Sequence, residues 1–253
     1  PGRRGHPGPP GPPRDPGPRS PMKRRNSFAP VDEGFQAGGW LVTGAEHSTR
    51  VTTSEEQDMG DRTLVVGLGN PGERYAGTRH NIGAMVVAEL SARAGARLSA
   101  HRARAAVAET RLRPGAPRLV LAQPLSYMNL SGGPVSALAG YYSLGLEDLV
   151  VVHDDIDLPF GAVKLKRGGG EGGHNGLRDI TKAMGGKDYV RVRVGVGRPP
   201  GRMDTADYVL KKFSGAEAKE LPLLVSEAAD AVEMLTEQGL TATQQHVHPR
   251  NPA

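Results

Sequence analysis

The chain contains no cysteine among its 253 residues. This absence excludes disulfide bonds, a thiolate nucleophile and a zinc site with cysteine ligands. No run of about 18 apolar residues occurs, and the first residues do not form the apolar segment of a signal peptide, so the sequence predicts neither a transmembrane helix nor secretion. A cytoplasmic setting fits these absences.

Proline and charge divide the chain near residue 60. Ten of the 21 prolines lie in the first 30 residues, which is typical of extended unfolded backbone, and residues 31–58 are polar without periodicity. We predict a disordered Pro/Gly-rich N-terminal extension over 1–58, including Trp40, and one folded catalytic domain over 59–253, with Met59 as a candidate native start. Lys and Arg exceed Asp and Glu by only one in residues 1–58, so four of the five net positive charges belong to the domain.

From Arg62 onward, short β-branched runs alternate with stretches of helical periodicity. This order predicts a single-domain three-layer α/β sandwich with a mixed, largely parallel central sheet flanked by helices. The predicted strands cover 63–68, 105–112, 118–124, 149–155, 161–167 and 189–197, and the predicted helices cover 81–95, 132–145, 174–184 and 216–238.

The loop after the first strand, Gly67-Leu68-Gly69-Asn70-Pro71-Gly72, has the glycine spacing of a dinucleotide-binding turn. In such a turn the helix follows at once, and an acidic residue about 20 positions later ends a second strand. Here Pro71 and a polar run delay the helix, and Glu89 falls inside it. A dinucleotide-dependent oxidoreductase is therefore the weaker hypothesis.

Polar residues follow several predicted strands, and the carboxyl ends of strands in an α/β sheet converge on one crevice. The carboxylates of Asp154, Asp155 and Asp157 are a candidate metal cluster. Alternation along the strand sends Asp154 and Asp155 to opposite faces, so we predict no metal site. We expect His153 to be structural and His174 to lie in the first turn of a helix.

Four blocks together resemble the bacterial-type peptidyl-tRNA hydrolase family over about residues 62–250: GLGNPGERYAGTRHNIG, QPLSYMNLSGGPV, VVHDDIDLPFGAVKLKRGGGEGGHNGLRDI and YVRVRVGVGRP. The resemblance implies hydrolysis of the ester between peptide and tRNA, without cofactor or metal. It implies His80 as the general base, Asp154 as its orienting partner and Asn70 as the partner of the attacking water. The residues that it implies for the cleft contacts with the substrate are Tyr75, Met128, Asn129 and Asn175.

The partner that the resemblance implies is the acceptor stem and 3′ end of peptidyl-tRNA, bound by a monomer with no obligate protein partner and no membrane. Lys164, Lys166 and Arg193 are the predicted tRNA-facing basic residues. The glycine-rich stretch Gly168–Gly176 lacks the Lys-Ser/Thr ending of a P-loop, which favours a lid over a nucleoside triphosphate site. Residues 241–246 depart from the family pattern, and this departure concerns only a distal tRNA contact. An RNA-binding module without catalysis is the remaining alternative.

Overall fold

The computed structural model describes residues 62–248, so the expectations for residues 1–58, Trp40 and Met59 lie outside the described part. The strands are β1 (Arg62–Gly67), β2 (Ser99–His101), β3 (Ala105–Thr110), β4 (Arg118–Pro124), β5 (Leu149–Asp155), β6 (Val163–Arg167) and β7 (Val190–Gly195). The α-helices are α1 (Glu73–Ala76), α2 (Ile82–Arg93), α3 (Gly132–Tyr142), α4 (Asn175–Met184), α5 (Thr205–Val209) and α6 (Gly215–Val247), and two 3₁₀ turns cover Arg79–Asn81 and Met128–Leu130.

The seven strands form one sheet in the order β2-β3-β4-β1-β5-β7-β6. The four central strands, β4, β1, β5 and β7, are mutually parallel, while β2, β3 and β6 pair antiparallel at the two edges. The prediction of a mixed, largely parallel sheet is confirmed. Because β1 and β5 are neighbours and run the same way, the loop after β1 and the end of β5 meet at one edge.

Helices cover both faces of the sheet, as the predicted three-layer sandwich requires. The alternation of β1 sorts its side chains between two cores: Val65 packs with α2 and α6, whereas Leu64 and Val66 pack with α3 and α4. Buried strands that are covered on both faces are apolar nearly throughout, which explains why the strands at the centre were recognisable in the sequence.

A glycine pair brings α2 unusually close to the sheet. A Cβ on Gly83 would lie 2.2 Å from the carbonyl oxygen of Val152, and one on Gly67 would lie 2.2 Å from the carbonyl oxygen of Gly83. Glycine is required at both positions because any larger residue would collide with backbone. The start of α2, directly after His80, therefore sits against the ends of β1 and β5.

The last helix differs from the predicted 216–238. It begins with a capping box, in which Ser214 and Glu217 satisfy each other's backbone N–H groups, and it extends to Val247. The backbone at Gly239 is non-helical, with φ of 80°, so the predicted end coincides with a break. Beyond the break, Gln244 donates to the carbonyl of Leu165, which docks the C-terminal part of α6 on β6.

Candidate active site

A cleft of about 720 Å³ opens at the carboxyl ends of β1 and β5. The sequence-predicted cleft residues lie around it together: Asn70, Tyr75, His80, Met128, Asn129, Asp154 and Asn175. The cleft is also lined by a segment that includes α5, through Asp204, Thr205, Ala206, Val209 and Leu210. The three predicted basic residues Lys164, Lys166 and Arg193 do not line this cleft.

The centre of the cleft is an imidazole paired with a carboxylate. Nδ1 of His80 lies 2.9 Å and 3.1 Å from the two carboxylate oxygens of Asp154. An ionised carboxylate only accepts hydrogen bonds, so Nδ1 of His80 carries the proton and donates it. The side chain of Asp154 is 3% exposed and that of His80 is 12% exposed. Nε2 of His80 is thereby left as the basic nitrogen of a ring that lines the cleft.

Asp154 is shared with a second imidazole. Nε2 of His174 lies 3.0 Å from Oδ1 of Asp154, and Nδ1 of His174 accepts hydrogen bonds from the backbone N–H groups of Gly176 and Leu177. His174 is thus the N-cap of α4 and not a first-turn residue. Because Nδ1 accepts, Nε2 must carry the proton and donate to Asp154.

Two donors explain the charge state of Asp154. Burial by itself raises the pKa of the Asp154 carboxyl, but the interactions with His80 and His174 outweigh burial and hold this pKa well below its usual range. Asp154 is therefore ionised throughout the range in which an imidazole titrates. A fixed negative charge beside His80 favours the imidazolium that forms when this ring accepts a proton.

Asn70 is held by a neighbour that the sequence did not point to. The side chain of Asn81 accepts from the backbone N–H of Asn70 at 2.9 Å and donates to its carbonyl at 2.9 Å. The side-chain oxygen of Asn70 accepts from the backbone N–H of Met128 at 2.8 Å. Its Nδ2 is therefore left as a donor at the cleft. The signal that could have found Asn81 is its position directly after His80 in the block Thr78-Arg79-His80-Asn81.

The other predicted cleft residues have distinct surroundings. Asn129 is exposed at the rim, and Oδ1 of Asn175 accepts from Arg178 at 3.2 Å, which leaves the Nδ2 donor of Asn175 available. Met128 is 4% exposed, and its sulfur would lie 2.6 Å from a Cβ on Gly176, so it fills the floor against α4. Tyr75 is partly buried beneath the guanidinium of Arg74.

The basic residues lie beside the cleft on the antiparallel edge of the sheet. Lys164 and Arg193 are cross-strand partners on β6 and β7, and Arg193 donates to Asp155 at 2.7 Å. Lys166 and Arg193 line a second cavity of about 280 Å³ that shares Asp155 with the main cleft. The neighbouring Arg191, in contrast, is buried and is engaged by loop carbonyls, so it belongs to the scaffold.

The glycine-rich loop, for which the sequence favours a lid, lines the cleft and is anchored by hydrogen bonds. Gly172 and Gly173 line the cleft, and both have positive φ, which explains the choice of glycine. Arg191 donates to the carbonyls of Gly169 and Gly170. The first half of the loop is therefore fixed to β7.

Within residues 62–248, the one group with metal-ligand spacing is His80, Asp154 and His174, whose ligand atoms lie within 4.8 Å of one another. The donor set fits a hydrogen-bond chain better than a metal, because the nitrogens that face Asp154 both carry protons. Ligation through Nε2 of His174 would require that proton to leave. Asp155 and Asp157 pair with Arg193 and Arg198 and do not join this group.

The chain is similar to known proteins over the part that forms this fold. The family model for peptidyl-tRNA hydrolase matches residues 64–253. The peptidyl-tRNA hydrolase of Pseudarthrobacter chlorophenolicus is 65% identical over 195 residues, which cover 77% of this chain and 100% of that protein. The peptidyl-tRNA hydrolase of Renibacterium salmoninarum is 62% identical over 192 residues, covering 76% of this chain and 99% of that protein. The solved peptidyl-tRNA hydrolase of Acinetobacter baumannii matches with a TM-score of 0.71 and 33% identity, covering 77% of this chain and 98% of that one.

Proposed function

The chain belongs to the peptidyl-tRNA hydrolase family, and we propose that His80 and Asp154 form its catalytic pair. The protein is a hydrolase that cleaves the ester bond joining peptide to tRNA, releasing both. The observation that carries the proposal is the 2.9 Å contact between Nδ1 of His80 and Asp154 inside the cleft. This contact fixes the tautomer that leaves Nε2 free to act as a base.

In the proposed reaction, Nε2 of His80 takes a proton from water as the water oxygen attacks the ester carbonyl carbon. The carbonyl π electrons move to oxygen, and a tetrahedral intermediate forms. When the intermediate collapses, the bond between the carbonyl carbon and the ribose oxygen breaks, and the imidazolium returns its proton to that oxygen. General-base assistance of this kind contributes roughly 10²- to 10⁴-fold.

The amides divide the remaining work. Nδ2 of Asn70 donates to one lone pair of the attacking water and leaves the other lone pair for the carbonyl carbon, close to the 3′ end of the tRNA. Asn129 donates to the developing oxyanion, and Asn175 holds the peptide. The side chain of Asn70 is well placed to position the attacking water, because Asn81 fixes its backbone and the N–H of Met128 fixes its side-chain oxygen. Tyr75 and Met128 provide apolar walls.

The tRNA side of the substrate fits the edge formed by β6 and β7. Lys164, Lys166 and Arg193 present positive charge beside the cleft, where the phosphates of an acceptor stem would lie. The proposed enzyme acts as a monomer in the cytoplasm, where translation produces its substrate.

The deciding experiment is hydrolysis of purified peptidyl-tRNA in the presence of EDTA. We expect wild-type protein to release tRNA, and His80→Ala to lower kcat by about 10²- to 10⁴-fold while KM changes little. The matched control is His101→Ala on the edge strand β2, which should retain full activity.

Three outcomes would contradict the assignment. Full turnover by His80→Ala would remove the proposed base. Wild-type binding of peptidyl-tRNA without hydrolysis would favour an RNA-binding module, and loss of wild-type activity in EDTA that returns with added metal would favour a metal-dependent reaction.

A further inference from the structure

The residue that precedes the proposed base is a buried arginine with no role in the chemistry above. The side chain of Arg79 is 7% exposed. Its Cζ lies 4.2 Å from the ring centroid of Tyr208 and 5.3 Å from that of Phe213. Its Nη1 donates to the carbonyl of Lys212 at 2.9 Å and to that of Lys211 at 3.3 Å. All four partners lie in a segment that is more than 120 positions away in the sequence.

The same guanidinium reaches the start of α6. Nη2 of Arg79 donates to Oε2 of Glu217 at 2.6 Å, and this oxygen also accepts from the backbone N–H of Ser214. Burial raises the pKa of Glu217, but the hydrogen bonds from Ser214 and the interaction with Arg79 outweigh it, and the net pKa is lowered. Glu217 is therefore the ionised partner of a cation inside the protein.

Apart from Glu217, the partners of Arg79 belong to a segment of which other residues line the cleft. We call residues 204–213 the wall segment; Asp204, Thr205, Ala206, Val209 and Leu210 line the cleft. Its helix α5 has five residues, of which Tyr208 and Val209 are buried. A helix this short has little stability of its own. Its position depends on a few anchors, which include the hydrogen bond from Tyr208 to the carbonyl of Val196, apolar packing, and contacts with the turn that contains Arg79.

We propose that Arg79 is a positioning residue for the hydrolysis, because it ties the wall segment to the turn that carries His80. The backbone repeats this link, since the N–H of Arg79 donates to the carbonyl of Lys211 and Thr78 forms an isolated β-bridge with Lys212. The inference rests on the proposed function, namely that peptidyl-tRNA occupies this cleft. Arg79 thereby sets the distance between the wall segment and His80. It takes no part in the His80–Asp154 pair, which is formed by Nδ1 of His80 and the carboxylate of Asp154.

The substitution Arg79→Lys distinguishes the effect of the positive charge from the effect of the guanidinium geometry. A lysine keeps the positive charge near Glu217, but its single ammonium group cannot reach two carbonyls and a carboxylate while stacking on two rings. In Arg79→Lys we expect KM for peptidyl-tRNA to rise about tenfold and kcat to stay within about threefold. The pH profile of kcat should keep its shape because the His80–Asp154 contact is unchanged.

Limited trypsin digestion reports on the wall segment directly, since Lys211 and Lys212 are exposed. We expect cleavage after these lysines, followed by mass spectrometry, to be several-fold faster in Arg79→Lys than in the wild type. The matched control is Arg113→Lys, because Arg113 also pairs with a glutamate of α6, Glu237, but its side chain is 67% exposed and has no described partner in the wall segment. That variant should match the wild type in KM, kcat and cleavage rate.

Urea unfolding of both variants shows whether Arg79 contributes only to the stability of the fold. If Arg79→Lys is less stable yet has wild-type KM and wild-type cleavage after Lys211 and Lys212 while folded, the inference is wrong. A fall in kcat with a shifted pH profile and unchanged KM would also overturn it, because the effect would then lie at the base. Failure of the proposed function is distinguishable, because it would appear as full turnover by His80→Ala whatever Arg79→Lys does.

Discussion

At the scale of single residues, the site is organised by hydrogen bonds that decide which imidazole nitrogen carries a proton. His80 and His174 both donate to Asp154. His153, which precedes Asp154, uses Nδ1 to donate to the backbone carbonyl of Asp154 at 2.7 Å. Its Nε2 is buried without a hydrogen-bond partner among the described residues. Burial therefore favours the neutral form of His153 at the end of the strand.

His153 should make the fold sensitive to acid. Burial, followed by the neighbouring His174, lowers the pKa of His153 well below its ordinary 6.5. Between the lowered folded pKa and about 6.5 the unfolded chain binds one more proton at this residue, so stability must rise with pH there and fall as pH decreases. In His153→Asn, whose amide can keep the donor, we expect this contribution to vanish.

The measurement is the free energy of unfolding in urea between pH 5 and 6.5. The wild-type slope should exceed that of His153→Asn by up to about 1.4 kcal/mol per pH unit, the value for one proton. Histidines that do not contact His153 contribute equally to both slopes, so the difference reports on His153 together with the adjacent ring of His174. Equal slopes would show that His153 accepts a proton in the folded state.

The location of a side chain in the cleft was predictable from the sequence where that side chain belongs to a recognisable block. His80, Asp154 and Asn70 were assigned in that way, and the structure brings them to one cleft. The contacts of Asn81, His174 and Arg79 are with residues 11, 20 and 138 positions away, so local spacing alone could not reveal them. Each of the three side chains forms hydrogen bonds with another polar group of the protein.

At the scale of elements, the close approach of α2 to the sheet fixes the helix that follows His80, the proposed base. A Cβ on Gly83 would lie 2.2 Å from the carbonyl oxygen of Val152 and 2.6 Å from the backbone nitrogen of Leu68. Neither partner is the end of a flexible side chain. In Gly83→Ala the helix must therefore move away from β5, and His80 must move with it relative to Asp154.

We expect Gly83→Ala to lose about 1–3 kcal/mol of unfolding free energy by overpacking and to lose kcat in addition. The matched control is Gly140→Ala in α3, where a Cβ would meet nothing within 4 Å. Alanine is the better helix former, so that variant should gain up to about 1 kcal/mol with unchanged kcat. Urea unfolding and turnover assays test both variants. A Gly83→Ala enzyme with wild-type turnover would contradict the expectation that moving α2 displaces His80 from Asp154.

Element prediction succeeded for long buried runs and failed for short pieces. The strand β2 has three residues that are exposed or half-buried, and α5 has five, so neither has enough apolar periodicity to be recognised. The continuation of α6 beyond Gly239 was missed because a glycine is a reliable stop signal. The chain re-enters a helix there because Thr243 is fully buried and Gln244 is bonded to β6.

At the scale of the whole molecule, the family match begins at residue 64 and the described fold begins at Arg62. We propose that residues 1–58 are an extension and that 59–253 suffice for catalysis. Deletion of residues 1–58 should leave kcat/KM for peptidyl-tRNA within about twofold of the full chain, because no described cleft residue is removed. The test compares both proteins at low and physiological salt, since binding through phosphates weakens as salt rises.

A collapse of turnover in the shortened protein at both salt concentrations would show that the first 58 residues contribute to the catalytic domain. A loss confined to physiological salt would instead assign the basic residues of this segment to tRNA binding, which would also contradict the proposal.

Asp154 and Asp155 are consecutive residues of β5, yet one carboxylate meets His80 and the other meets Arg193. The two side chains therefore leave the strand at backbone positions one peptide unit apart. If Arg193 contacts the tRNA as proposed, the covalent geometry of the strand fixes the spacing between this contact and the proposed base, His80. The ester that joins peptide to RNA would then lie at a fixed distance from the RNA contact.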